Sequence, residues 1–188
     1  MVLSLPLVLA VAAAVAFASR SGIAAALGLG SWRWTDVVVG VSIGLVVRAA
    51  VELITPSTGS GLGGTGFGPV ESPALRMVAT VVLALGVIVV SPVVEEVFFR
   101  GLVARAMVDA LQPLGSTVAG VVAVLVSTGA FVALHLIPSG AAVPVALIVG
   151  TAGVGLGAGI LTILTGRLAG AITVHVVFNA LGVVILLV

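Results

Sequence analysis

The stretch Ser91-Pro92-Val93-Val94-Glu95-Glu96-Val97-Phe98-Phe99-Arg100-Gly101 places two adjacent carboxylates and an arginine at the end of a long apolar run. Charged side chains are rare at membrane depth, and those that occur there usually serve a function. The chain has only six acidic residues among 188, so two of them side by side in such a run are unusual. The stretch therefore predicts a membrane helix that carries a polar functional site.

The composition of the whole chain is that of a membrane protein. Hydrophobic residues make up 61% of the sequence and charged residues 7%, whereas about 25% of residues are charged in a typical soluble domain. The formal net charge of +1 offers no basic surface for a nucleic acid. The absence of cysteine excludes disulfides, thiolate metal sites and a cysteine nucleophile.

Hydropathy predicts an all-α, polytopic transmembrane bundle of about six spans, at roughly 20 residues per span. The predicted spans are residues 2–18, 36–54, 73–90, 115–137, 141–165 and 168–188. The helix of the third span is expected to continue to about Leu111, with a kink at Pro92, because apolar residues recur beyond it at helical spacing. Five glycines of the fifth span predict close helix–helix approach: Gly150, Gly153, Gly155, Gly157 and Gly159.

Two regions are expected along the chain. Residues 1–72 are predicted to form an N-terminal two-span region that includes a loop rich in Gly, Ser, Thr and Pro, and residues 73–188 a helical core that contains the acidic stretch. The loop lacks the Lys-Ser/Thr of a phosphate-binding loop, so a flexible extramembrane segment is predicted. Arginine positions orient the bundle by the positive-inside rule, which puts one group in the cytoplasm: Arg20, Arg33, Arg100, Arg105 and Arg167.

Three pairs of residues in the last four spans are each four positions apart: Phe131 with His135, His175 with Asn179, and Glu96 with Arg100. Residues at this spacing share one helix face. Glu96 is therefore expected to pair with Arg100, whereas Glu95, rotated by about 100°, is free to face another helix. The pairs include both histidines of the chain.

A helical hairpin closed near Gly115 would bring Glu95 and His135 together. Glu95 lies roughly 24 Å before the turn and His135 roughly 30 Å after it, at 1.5 Å per residue, so their depths are similar. His175 lies only roughly 12 Å past Arg167. Convergence of all three requires the hairpin to protrude by roughly 10–20 Å or to tilt strongly.

These groups favour hydrolysis of a peptide bond. A carboxylate and an imidazole that share a water can deprotonate it, and a second histidine with an asparagine amide can stabilise a tetrahedral oxyanion. Glu95, His135 and His175 could instead hold Zn²⁺ as a two-histidine, one-carboxylate set. The motifs His-Glu-x-x-His, Gly-Asp and Gly-x-Ser-Gly of other membrane proteases are absent.

The three motifs resemble those of the CPBP family, the CAAX-protease and bacteriocin-processing (Abi) membrane proteins. Glu95 to Arg100 fits Glu-Glu-x-x-x-Arg, Phe131 to His135 fits Phe-x-x-x-His, and His175 to Asn179 fits His-x-x-x-Asn, in the family's order. The resemblance covers about residues 73–188. This part of the chain is similar to the type II CAAX prenyl endopeptidase, which removes the last three residues of prenylated proteins.

The resemblance implies a role for each matched residue. Glu95 is the catalytic base with His135, His175 and Asn179 stabilise the oxyanion, and a further group supports the site: Glu96, Arg100 and Phe131. Members of the family have been described both as metalloproteases and as metal-free glutamate proteases, so a Zn²⁺ cofactor stays open here.

We therefore expect a multi-pass intramembrane endopeptidase of a prokaryotic plasma membrane, with its active site towards the cytoplasmic side. The expected partners are the lipid bilayer and a membrane-protein or lipidated-peptide substrate, and no nucleic acid. Two alternatives are a non-enzymatic bacteriocin-immunity or scaffold protein on the same fold and a proton-coupled transporter in which Glu95 and the histidines relay protons.

Overall fold

The fold was analysed in a computed structural model that describes residues 7–9, 12, 32–56, 72–140 and 143–187. Every regular element in the described residues is helical. From residue 34 onward the order is α1 (Trp34–Ile54), α2 (Pro73–Leu114), α3 (Ser116–Leu136), α4 (Val145–Thr165) and α5 (Ala169–Leu187). The predicted all-α bundle is confirmed.

Four of these helices are long and apolar enough to cross a membrane, namely α1, α2, α3 with its short 3₁₀ extension to Ser139, and α4. The apolar part of α5, Ala169–Ile185, is shorter than the apolar part of each of these four helices. The first predicted span lies largely outside the described residues, of which 7–9 and 12 are helical. Most of the predicted Gly-rich loop also lies outside them.

Helix α2 is one continuous run of 42 residues with two changes of winding. Gly86–Val90 and Val97–Ala104 are π-helical, and the α-helical turn Ser91–Glu96 lies between them. At 1.5 Å per residue a 42-residue helix is roughly 60 Å long, about twice the hydrocarbon thickness of a bilayer. The helix must therefore tilt strongly or extend beyond the membrane, as the convergence of the motif residues requires.

Helix α4 lies at the centre of the bundle because its glycines let three neighbours approach. An added Cβ at Gly153 would lie 2.7 Å from Val47 of α1, and one at Gly155 would lie 2.6 Å from Thr128 of α3. An added Cβ at Gly150 would lie 2.8 Å from the ring of Phe178 in α5. The predicted close approach along this glycine series is confirmed. The apolar core forms between these helices from Phe99, Phe131, Val154, Leu161 and Val174.

Polar contacts join three segments at one end of the bundle. Arg167, in the turn between α4 and α5, donates through Nε and Nη2 to the two carboxylate oxygens of Asp36 at 2.7 and 2.6 Å. Arg105 donates through Nη2 to the Gly166 carbonyl at 2.6 Å. The hydrogen bond to Asp36 raises the pKa of the Arg167 guanidinium above its ordinary value. The start of α1, the later part of α2 and the α4–α5 turn thus meet at this end.

Removing the charge of Asp36 should loosen this end of the bundle. We expect Asp36→Asn to lower the Tm by a few degrees, since an ion pair with two hydrogen bonds is replaced by one hydrogen bond from the guanidinium to a neutral amide oxygen. Differential scanning fluorimetry in detergent measures the shift. Asp109→Asn, the same change at an exposed carboxylate, is the matched control and should leave the Tm within about 1 °C. Equal shifts for the two variants would contradict a stabilising role for the pair.

Candidate active site

Glu95 is buried on α2 and faces both histidines of the chain. Its Oε2 atom lies 3.7 Å from His135 Nε2 and 3.8 Å from His175 Nε2. Its Oε1 atom accepts a hydrogen bond from Ser91 Oγ, one turn earlier, at 2.5 Å. Ser91 therefore holds one carboxylate oxygen of Glu95, and the other oxygen, Oε2, faces the two imidazole rings. Side chains from α2, α3 and α5 thus converge at one point.

The ring of His135 is oriented by its own helix. Its Nδ1 atom lies 2.9 Å from the Phe131 carbonyl, four residues earlier. A carbonyl oxygen can only accept, so Nδ1 carries a hydrogen in this contact. In a neutral ring the lone pair is then on Nε2, the atom that faces Glu95.

Glu96 and Arg100 form a fully buried pair beneath this point. Arg100 Nη1 donates to Glu96 Oε1 at 3.0 Å, and both side chains have no exposed area. The same carboxylate oxygen lies 2.9 Å from His175 Nδ1. Arg100 Nη2 donates to the Gly155 carbonyl of α4 at 3.0 Å. Glu96 thus contacts both a cation on its own helix and a histidine on α5.

The Phe131 ring packs against three polar side chains of the site. Its ring centroid lies 4.4 Å from that of His135 and 5.4 Å from that of His175. The Arg100 guanidinium carbon lies 4.7 Å from the centroid of the same ring, a distance at which cation–π attraction is effective. The ring is 1% exposed and packs against the buried arginine and both imidazoles.

Asn179 lies one turn after His175 and contacts the backbone of α2. Its Nδ2 atom donates to the Val87 carbonyl at 2.9 Å. Asn179 also lines the same cavity as Glu95, His135 and His175. The structure therefore brings all four candidate site residues together, with one amide hydrogen of Asn179 directed at a carbonyl of the protein itself.

The cavity at these residues has a volume of about 280 Å³. Its remaining lining residues come from four helices: Val87, Ser91, Phe131, Leu147, Thr151, Val154 and Phe178. A larger cleft of about 450 Å³ lies between α3 and α4 and is lined by Ser116, Thr117 and eight glycine or aliphatic residues. That cleft contains no titratable side chain. A further cavity of about 490 Å³ is lined by Arg105 and Asp109 among others, whereas the cavity of about 280 Å³ is the one lined by Glu95 and both histidines.

The zinc set predicted from the sequence is Glu95, His135 and His175, and their donor types are those of a zinc site. Glu95 Oε2 lies 3.7 and 3.8 Å from the two imidazole Nε2 atoms, although in the described part of the chain no group of three or more His, Asp or Glu side chains is identified as a metal site. A zinc ion at these residues stays a prediction.

Sequence reasoning missed three contacts of the site. The Ser91 hydroxyl was detectable, because Ser91 precedes Glu95 by the same four-residue interval that was used for the other pairs. The other two contacts join distant residues. His175 pairs with Glu96, 79 positions away, and Arg100 donates to the Gly155 carbonyl, 55 positions away. No local pattern reports contacts at that separation. Arg100 was also expected to mark a cytoplasmic boundary, which is wrong for a side chain with no exposed area.

Comparison with known proteins assigns the family. The family model described as type II CAAX prenyl endopeptidase Rce1-like matches residues 77–181, more than half of the 188 residues. The chain belongs to this family. The match begins within α2 and ends within α5, so it contains the complete cavity. No curated protein and no solved structure gave a match.

The family is one of membrane proteases, which identifies the chain as an intramembrane endopeptidase. Its four membrane-length apolar helices make it an integral membrane protein. Both conclusions agree with the chemistry expected from the motifs.

Proposed function

We propose that Glu95 and His135 activate a water for attack on a peptide carbonyl, without a metal ion. The observation that carries this is the placement of Glu95 Oε2 at 3.7 Å from His135 Nε2. The distance is too long for a direct hydrogen bond, whereas a water bonded to both atoms spans it. A buried carboxylate and an imidazole lone pair that meet at one water form a general base.

One water proton is transferred twice in the proposed reaction. The water oxygen forms a bond to the carbonyl carbon while one water proton passes to Glu95, assisted by His135. The tetrahedral intermediate then loses the amine, which takes up that proton as the C–N bond breaks. Phe131 packs against both imidazoles and Arg100 and so limits the space for further water on that side of the rings.

His175 and Asn179 are proposed to stabilise the oxyanion. Glu96 accepts from His175 Nδ1, so the doubly protonated ring can donate from Nε2 while it stays bonded to Glu96. The Asn179 amide has two N–H groups and uses one on Val87. The second is the donor that would meet a substrate oxygen. Donors of this kind typically contribute about 100-fold to 1,000-fold in rate.

The substrate is proposed to be a peptide anchored in the membrane, such as a lipidated protein C-terminus. The cavity is lined mainly by helices of membrane length, which supports a substrate that approaches from the bilayer. The end that carries Arg105 and Arg167 is proposed to face the cytoplasm, by the positive-inside rule. A prokaryotic plasma membrane is the proposed location.

The activity and its substrate are tested together by C-terminal proteomics. Membranes from cells that express the wild-type protein or His135→Ala are compared for proteins that lose C-terminal or internal segments. We expect trimmed products only with the wild-type protein. Immunoblotting confirms equal insertion of the two proteins. Identical product sets would contradict the proposed function, and proton-coupled flux in liposomes that Glu95→Gln abolishes would point to transport.

Metal removal separates the two ways of activating water. We expect the purified protein to contain less than one zinc ion per ten molecules and to keep its cleavage rate after treatment with 1,10-phenanthroline, within about twofold. Elemental analysis and the cleavage rate are measured on the same sample. Loss of activity that is restored by adding Zn²⁺ would replace the metal-free mechanism with a metal-bound water.

A further inference from the structure

Proline 92 leaves a carbonyl of α2 without a backbone donor. In the first π-helical segment the Ser91 N–H donates to the Gly86 carbonyl, five residues back. In that register the next donor, to the Val87 carbonyl, would be the N–H of residue 92. Proline has no N–H. The Val87 carbonyl is therefore unpaired in the backbone, within the first half of the 42-residue helix α2.

We propose that Asn179 is a positioning residue that replaces the missing backbone donor of Pro92 and so holds the π-helical register of α2. Its Nδ2 atom donates to the Val87 carbonyl at 2.9 Å from the facing helix α5. Backbone groups exposed to lipid must be paired within the protein, since no water is present to pair them. The amide of Asn179 fulfils that requirement at the one carbonyl that Pro92 leaves open.

The register matters because it orients Glu95. The π-helical segment ends at Ser91, whose hydroxyl donates to Glu95 Oε1 at 2.5 Å. Without Asn179, the Val87 carbonyl can gain a donor if Ser91 N–H shifts to it from Gly86, which converts the π turn to an α turn. A change of one residue in register rotates the following turn by about 100°. Glu95 would then lose its alignment with His175, the residue one turn before Asn179.

A double-mutant cycle with Pro92 tests this pairing. Pro92→Ala restores an N–H that can reach the Val87 carbonyl, so Asn179 should matter less in that background. We expect Asn179→Ala to lower the Tm by about 5 °C in the otherwise wild-type protein and by less than about 2 °C in the Pro92→Ala background. Equal decreases in both backgrounds would overturn the proposal. Thr173→Ala, which removes a hydroxyl contact within α5, is the control and should act equally in both backgrounds.

A second measurement does not depend on how Pro92→Ala folds. Asn179 is the only asparagine of the chain, so selective ¹⁵N-asparagine labelling gives one side-chain amide in the NMR spectrum. We expect one of its two protons to exchange with solvent at least about tenfold more slowly than the other, because it is bonded to the Val87 carbonyl. Two protons that exchange at similar rates would overturn the proposal.

The catalytic consequence rests on the proposed function and is measured separately. At a temperature well below every Tm, Asn179→Ala should lower kcat with little change in KM, through loss of the oxyanion donor and through misalignment of Glu95. Adding Pro92→Ala should recover only the part that comes from misalignment, at least about tenfold. The absence of any recovery of kcat in the double variant would overturn the positioning of Glu95. If the wild-type protein shows no cleavage, the proposed function fails, whereas the Tm cycle and the NMR spectrum still decide the pairing.

Discussion

Replacing Glu95 by glutamine is expected to lower kcat/KM for peptide cleavage by about 1,000-fold while the protein inserts and folds as before. Glutamine has nearly the same shape and its carbonyl can still accept from Ser91, which donates to Glu95 Oε1 at 2.5 Å. It cannot take a proton from the water that Oε2 and His135 Nε2 are proposed to share across 3.7 Å. The measurements are the cleavage rate of purified protein and its Tm in the same detergent.

Glu96→Gln is the matched control, since it makes the same change at the neighbouring residue. Glu96 is fully buried and is bonded to Arg100 and His175. Loss of its charge leaves the Arg100 guanidinium without a counter-ion, so we expect a larger fall in Tm and a smaller fall in kcat than for Glu95→Gln. The opposite result, in which Glu96→Gln abolishes cleavage and Glu95→Gln spares it, would reverse the two roles.

The site was largely predictable because its residues lie at helical spacing. The four-residue intervals placed His175 and Asn179 on one face of a helix and Glu96 beside Arg100, and these are the faces that they occupy. The 100° step between adjacent residues separated Glu95 from Glu96, and in the structure they contact different atoms of His175. The regular period of the α-helix therefore predicted most of the geometry of the site.

The winding of α2 was not predictable from that period. Hydrophobic spacing cannot distinguish an α turn from the π turns at Gly86–Val90 and Val97–Ala104, because each adds only a local change of register. Pro92 indicated a disturbance, but its partner is Asn179, 87 positions further along the chain. Only the packing of α5 on α2 shows which carbonyl Pro92 leaves open and which side chain pairs with it.

Composition misled in one respect, since it treated Arg100 as a residue near water. A lone arginine in an apolar sequence normally reaches the membrane surface. Arg100 instead has three partners within the protein: the carboxylate of Glu96, the carbonyl of Gly155 and the ring of Phe131. The glycine at position 155 matters here, because an added Cβ would lie 2.6 Å from Thr128 and would push α3 and α4 apart.

Replacing Arg100 by methionine is therefore expected to have the largest effect on stability. Removing one partner of a buried ion pair typically costs about 3–5 kcal/mol, because the remaining charge is left without compensation. Here the remaining charge is Glu96, which has no exposed area, and the Gly155 carbonyl also loses its donor. For a chain of this size the Tm should fall by roughly 6–20 °C. Arg76→Met, the same substitution at an exposed position of α2, should leave the Tm nearly unchanged.

The double variant Glu96→Gln/Arg100→Met separates the charge from the packing. If the cost of Arg100→Met comes from an uncompensated Glu96 carboxylate, neutralising that carboxylate should recover a substantial part of the lost Tm, so the two changes should be less than additive. Additive losses would mean that Arg100 acts through its contacts with Gly155 and Phe131 rather than through charge. His175 provides a further check, because the glutamine carbonyl can still accept from its Nδ1. A recovered Tm without recovered cleavage would then show that the buried pair stabilises the fold, whereas the charge of Glu96 is needed for the chemistry of His175.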